Sequence, residues 1–178
     1  MSHAAMIGTR WGYLLRRTAR LAANILTVET FLQNTGTQAF SAPYYAHNFL
    51  SVDRLPVGPG WTLSLDDLPD LSNGTDRFTP LADYFDVDGS VLTARSPVNN
   101  TMLHKFKGAR NVASLSQGAF TATAKGLTIS KKLGGPVPLY QYNLYAEETT
   151  LSPEPSQLVK LESGESVTLT ATLTFNTA

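Results

Sequence analysis

Cysteine is absent from the 178 residues, which excludes disulfides, thiolate catalysis and cysteine-ligated zinc. Charge is scarce and balanced: 16% of residues are charged, with 14 basic against 14 acidic side chains. A chain with no net charge and no lysine/arginine stripe interleaved with aromatics cannot hold a phosphate backbone by bulk electrostatics, so no nucleic acid partner is expected. No apolar run reaches the roughly 18 residues that a membrane-spanning helix needs, and no membrane partner is expected. A cytoplasmic, reducing compartment fits these absences. No histidine pair has metal-ligand spacing, no glycine-rich loop opens a helix and no nucleophile elbow is found, so neither metal nor cofactor is expected. Asp83, Asp86 and Asp88 fail as a calcium loop because no glutamate closes it after Gly89. Arg10, Arg16, Arg17 and Arg20 precede the first acid, Glu29. Such a start can mark a transit peptide, but Trp11 to Leu21 and Ile25 to Phe31 read as strands of the fold itself.

A sustained 3.6-residue apolar period is also missing. What the chain has instead is short β-rich runs punctuated by turn residues. Ile25 to Leu32 ends at Asn34-Thr35-Gly36, and Phe40 to Tyr45 resumes the extended run. Phe120 to Ala124 turns at Lys125-Gly126 into Leu127 to Ser130, a hairpin. Tyr140, Tyr142, Leu144 and Ala146 alternate with polar neighbours, and Val167 to Phe175 alternates without a break. The length suits one domain with a sizeable core, over 1–178. The reading is an all-β antiparallel sandwich. The acidic, turn-rich stretch 66–97 is expected to be a surface insertion, with one helical turn at Leu81 to Phe85.

Two places carry residues capable of proton chemistry. His47 lies among Tyr44, Tyr45 and Phe49, just past a predicted strand. Aromatic walls suit a pyranose, whose C–H face packs on rings while its hydroxyls seek polar partners. The alternative for His47 is a core histidine satisfied by a backbone carbonyl. Glu154 sits between Pro153 and Pro155, which push the backbone towards extended geometry. A carboxylate held that rigidly suits a general base; the alternative is an exposed loop glutamate between turn prolines. His3 falls in a terminus expected to fray. His104, beside Lys105, is expected to be a surface or half-buried structural residue.

The ordered set Trp11-Gly12-Tyr13, Arg17 to Leu21, Leu32 to Gly36, Tyr45-Ala46-His47-Asn48-Phe49, Val57 to Gly60, Pro138 to Tyr145, Ser152 to Pro155 and Leu161 to Ser166 resembles the aldose 1-epimerase, or galactose mutarotase-like, family. The resemblance covers roughly the C-terminal half to two-thirds of a family member. The family's early strands, which bring a second histidine and an arginine to the sugar, have no counterpart here, and Ala46 stands where an asparagine is usual. The resemblance implies a partial β-supersandwich that interconverts sugar anomers. Glu154 would be the base on the anomeric hydroxyl and His47 the acid on the ring oxygen, with Tyr45, Asn48 and Arg17 binding a hexose or hexose phosphate. The alternatives are a non-catalytic carbohydrate-binding sandwich or a truncated relic. A sheet lacking those strands would expose edges and favour self-association.

Overall fold

The computed structural model describes residues 2–7, 10–45, 47–65, 71, 74–107 and 120–177. Its strands are β1 (Ser2–Ile7), β2 (Trp11–Ala22), β3 (Ile25–Asn34), β4 (Phe40–Tyr45), β5 (Thr62–Ser64), β6 (Gly74–Phe78), β7 (Phe85–Asp88), β8 (Val91–Ala94), β9 (Met102–Phe106), β10 (Phe120–Ala124), β11 (Leu127–Gly134), β12 (Leu139–Glu147), β13 (Thr150–Leu161) and β14 (Ser166–Thr177). A single turn of helix, α1 (Leu81–Tyr84), interrupts them. They form an antiparallel sandwich. Among the described residues, one sheet has nine strands, ordered β1-β2-β3-β14-β11-β10-β5-β8-β7, and the other has five, ordered β4-β13-β12-β9-β6.

The alternating patterns position these strands. In β12, Tyr142, Leu144 and Ala146 are buried against the nine-stranded sheet, while Gln141, Asn143 and Tyr145 look outwards, half-buried. Ile129 and Leu133 of β11 and Leu169 of β14 face the same interior. Gly164 makes the turn between β13 and β14 with φ of 80°, a conformation in which a side chain would be strained.

Three sequence expectations change here. The terminus carrying His3 is not frayed: its backbone forms β1, paired with β2 from Ser2↔Arg16 to Ile7↔Trp11. The stretch 66–97 is not a surface insertion. It supplies β6 to the smaller sheet and β7 and β8 to the larger one, and Leu71, Leu81, Tyr84, Phe85 and Leu92 lie in the core. Leu81, Tyr84, Phe85, Leu92 and Ala94 fall where α1 or a short strand turns inwards, whereas Phe78, Val87 and Val91 stay exposed, as do the described acids Asp76, Asp83, Asp86 and Asp88. Positions 66–70 and 72–73, including Pro69 and Asn73, lie outside the described residues, as does Ala46. His104 is buried rather than at the surface. Pro153-Glu154-Pro155 keeps the extended geometry expected of it and lies within β13, which excludes the loop alternative.

Prolines inside a strand need an explanation, because each removes a ladder donor. β13 pairs with β12 along its length, and with β4 only from Ser156↔Tyr45 to Leu161↔Phe40. Contact with the chain after β4 resumes at Leu50↔Leu151, where the two residues exchange both backbone hydrogen bonds, at 2.8 and 3.0 Å. Such exchanging pairs alternate along an antiparallel ladder, so the next two on that side of β13 fall at Pro153 and Pro155. Neither has an N–H to give. The ladder therefore opens between Tyr45 and Leu50, and it is here that the candidate site forms.

Candidate functional site

The numbering steps one for one from Tyr45↔Ser156 to Leu50↔Leu151. The register is thus unbroken across the gap, and His47 stands opposite Glu154 and Asn48 opposite Pro153. Directly opposed residues point to the same face of a sheet. His47 and Glu154 accordingly meet on the outer face of the five-stranded sheet, with Nδ1 2.5 Å from Oε1. An ionised carboxylate only accepts, so Nδ1–H is the donor. Burial differs sharply between the partners: the imidazole is 49% exposed and the carboxylate 4%.

Two of the freed backbone groups at the gap, the Asn48 N–H and the Pro153 carbonyl, are met by side chains. Ser152 Oγ accepts the Asn48 N–H at 3.0 Å and donates to Glu154 Oε1 at 3.2 Å. Asn48 Nδ2 donates to the Pro153 carbonyl at 2.5 Å. Glu154 Oε1 is therefore met by two donors, His47 and Ser152. Two rings meet the imidazole, and a third packs on one of them. Phe49 stacks on the imidazole, centroids 5.0 Å apart and planes 8° apart; Tyr45 meets it edge-on at 5.1 Å; Tyr145 closes on Phe49 at 6.2 Å. Tyr45 and Phe49 are both exposed. The Tyr145 hydroxyl donates to Glu147, and that bond, with some burial and the two nearby glutamates, pushes the phenol up to about 12.

Of the residues singled out in the sequence, the structure thus brings together His47, Glu154 and Tyr45. It does not bring Arg17 or Asn48 to their face. Side chains alternate along a strand, so Asn48 points the other way from His47, into a cavity of about 260 Å³ between the two sheets. Arg17 lines the same cavity and donates to the Tyr44 hydroxyl at 3.3 Å; Tyr45 borders both faces. Sequence reasoning overlooked Ser152, although period-2 spacing puts it on the face of Glu154. It also overlooked Lys131, in phase with buried Ile129 and Leu133. Among the described residues, no three acidic or histidine side chains gather into a metal site, and no helix is long and apolar enough to cross a membrane.

No protein-family model matches the sequence, and no curated protein matches it. Solved structures do match. A protein assigned as an aldose 1-epimerase from Escherichia coli K12 superposes on 99% of this chain with a TM-score of 0.69 at 15% identity, and 64% of its own length is covered. The fold is that of the galactose mutarotase-like proteins. A second assigned aldose 1-epimerase, from Klebsiella pneumoniae, matches 98% of the chain at a TM-score of 0.62 and 11% identity, with 53% of its length covered. A galactose mutarotase-like protein from Lactobacillus casei matches 93% at 0.57 and 14% identity, with 64% covered. The chain therefore spans between about half and two thirds of the length of the structures it matches.

Proposed function

We propose that this chain interconverts the α and β anomers of a hexose or hexose phosphate on the outer face of its five-stranded sheet. The observation that carries this reading is the 2.5 Å His47–Glu154 contact at the opened ladder, in a fold shared with aldose 1-epimerases. Exposed Tyr45 and Phe49 offer flat apolar surface to a pyranose ring.

The chemistry follows from the two groups. Glu154 takes the proton of the anomeric hydroxyl as the C1–O5 bond breaks, and the O1 electrons form the aldehyde. His47 delivers its proton to O5. Rotation about C1–C2 exposes the other carbonyl face; O5 re-adds as His47 takes its proton back and Glu154 returns one to O1. Each such transfer is worth about 10²–10⁴-fold. For the sugar hydroxyl to reach Oε1, the imidazole must yield its place, and its half-exposed position permits that.

A second reading, carbohydrate binding without turnover, is favoured by one fact: Glu154 is covered by the imidazole as the chain stands. Polarimetry on freshly dissolved α-D-glucose and α-D-galactose, with NMR exchange for hexose 6-phosphates, separates the two. Turnover predicts faster anomer exchange than buffer alone, cut by about 10²–10⁴-fold in Glu154→Gln. Calorimetric binding with unaccelerated exchange selects the second reading, and an undiminished rate in Glu154→Gln removes the base from its role.

A further inference from the structure

The cavity between the sheets contains charge that the outer face does not use. Its walls are mostly apolar, with Val28, Leu133, Leu169 and Leu173 among them, and no acidic side chain among the described residues lines it. Into it come two cations, Lys131 and Arg17. Lys131 is 4% exposed, and its Nζ donates to a neutral acceptor, Asn48 Oδ1, at 2.5 Å. Among the described residues it makes no ion pair. Burial pulls its ammonium down to about 8, so at neutral pH the charge is still present, deep in a low-dielectric wall, where an unpaired cation is costly. Gln157 is a second unfinished group. Its Nε2 donates to the Val137 carbonyl at 2.6 Å, while its Oε1, buried and lining the same cavity, has no partner among the described residues. Thr30 and Tyr44 add a hydroxyl pair, 2.9 Å apart.

A buried cation calls for an anion, an orphaned carbonyl oxygen for a hydroxyl donor, and aliphatic walls for C–H surface. We infer that the inter-sheet cavity is a second ligand site, for a small hydroxylated carboxylate such as a sugar acid, with its anionic group at Lys131 and a hydroxyl at Gln157 Oε1. A cavity of about 260 Å³ lies just under the usual range for ligand pockets, which limits the occupant to about the size of one monosaccharide. The site is separate from His47 and Glu154, and stands or falls independently of anomer exchange.

Titration calorimetry with D-gluconate tests it. Binding is expected at about pH 7, weaker by up to about tenfold at about pH 9, because gluconate keeps its charge over that interval while Lys131 loses its own. The other titratable groups lining the cavity are Arg17, Tyr44 and Tyr45, so Lys131→Met should abolish both the binding and the pH effect. Gln157→Leu should weaken binding severalfold, and His47→Gln should leave it unchanged. Absence of binding to the folded wild type, binding that survives Lys131→Met, or affinity in the wild type that is flat with pH would each overturn the inference.

Discussion

Among the described residues are two histidine–carboxylate pairs of nearly equal length and opposite burial. His47 and Glu154 meet at 2.5 Å with the imidazole half in solvent and the carboxylate sealed. His104 and Asp76 meet at 2.6 Å with the imidazole sealed at 4% exposure and the carboxylate 38% exposed. The second pair lies on the inner face of the same sheet, at the register Asp76↔His104 between β6 and β9. Its ring packs edge-on against Phe106 at 4.7 Å and lies against Gly74, where any Cβ would collide with it. An imidazole walled in by Phe106 and a glycine backbone has no room for a substrate; its job is to tie an edge strand to the core. An imidazole stacked on an exposed phenylalanine is open to one. Distance alone does not separate the two pairs, whereas the burial of each partner does.

That contrast can be broken by experiment, and the largest effect should be on rate. His47→Gln should slow anomer exchange by about 10²–10⁴-fold with little change in the unfolding midpoint. His104→Gln should do the reverse, leaving the rate and lowering the midpoint; comparable rate losses in both variants would erase the distinction. Next in size is Gly74→Ala. Overfilling the space under the His104 ring should destabilise the fold by about 1–3 kcal/mol in urea denaturation, and a neutral result would show that the ring is not confined there. The smallest effect concerns acid. Burial pushes the Asp76 carboxyl up, but hydrogen bonds from His104 and the Leu81 N–H outweigh it and hold the group below its ordinary value. A depressed carboxylate stabilises the fold above its unfolded-state value and loses that contribution as pH falls through the folded one. With Asp76 partly solvated, the contribution should stay under about 1 kcal/mol. Asp76→Asn should flatten the acid limb of the melting temperature against pH by that amount, and an unaltered limb would place the acid sensitivity elsewhere.

Much of this was legible in the sequence where one side chain in two had to be apolar. The strands at Leu139 and Val167 are marked by alternation, those at Ile25, Phe40 and Phe120 by β-rich runs beside turn residues, and the positive-φ turns by Gly126 and Gly164. The pairing of His47 with Glu154 came through a family resemblance, since no local pattern links residues so far apart. The misreadings also have local causes. Lys105 was weighed as a neighbour of His104, yet adjacent strand residues point to opposite faces, and the lysine could not bear on that ring. Pro153 and Pro155 look like loop residues until the missing partner on one side of β13 is known, which is tertiary information. The buried ammonium of Lys131 was hidden by its type, because lysine is rarely sealed inside a protein.

The unbroken step of numbering across the gap after Tyr45 constrains how this region can evolve. Substitutions between Tyr45 and Leu50 change what surrounds the imidazole, but an insertion or deletion of one residue there would turn it through the sheet, towards Lys131, and leave the carboxylate facing a neighbour that cannot move a proton. The length of that short crossing, rather than its composition, sets which face of the sheet the imidazole takes.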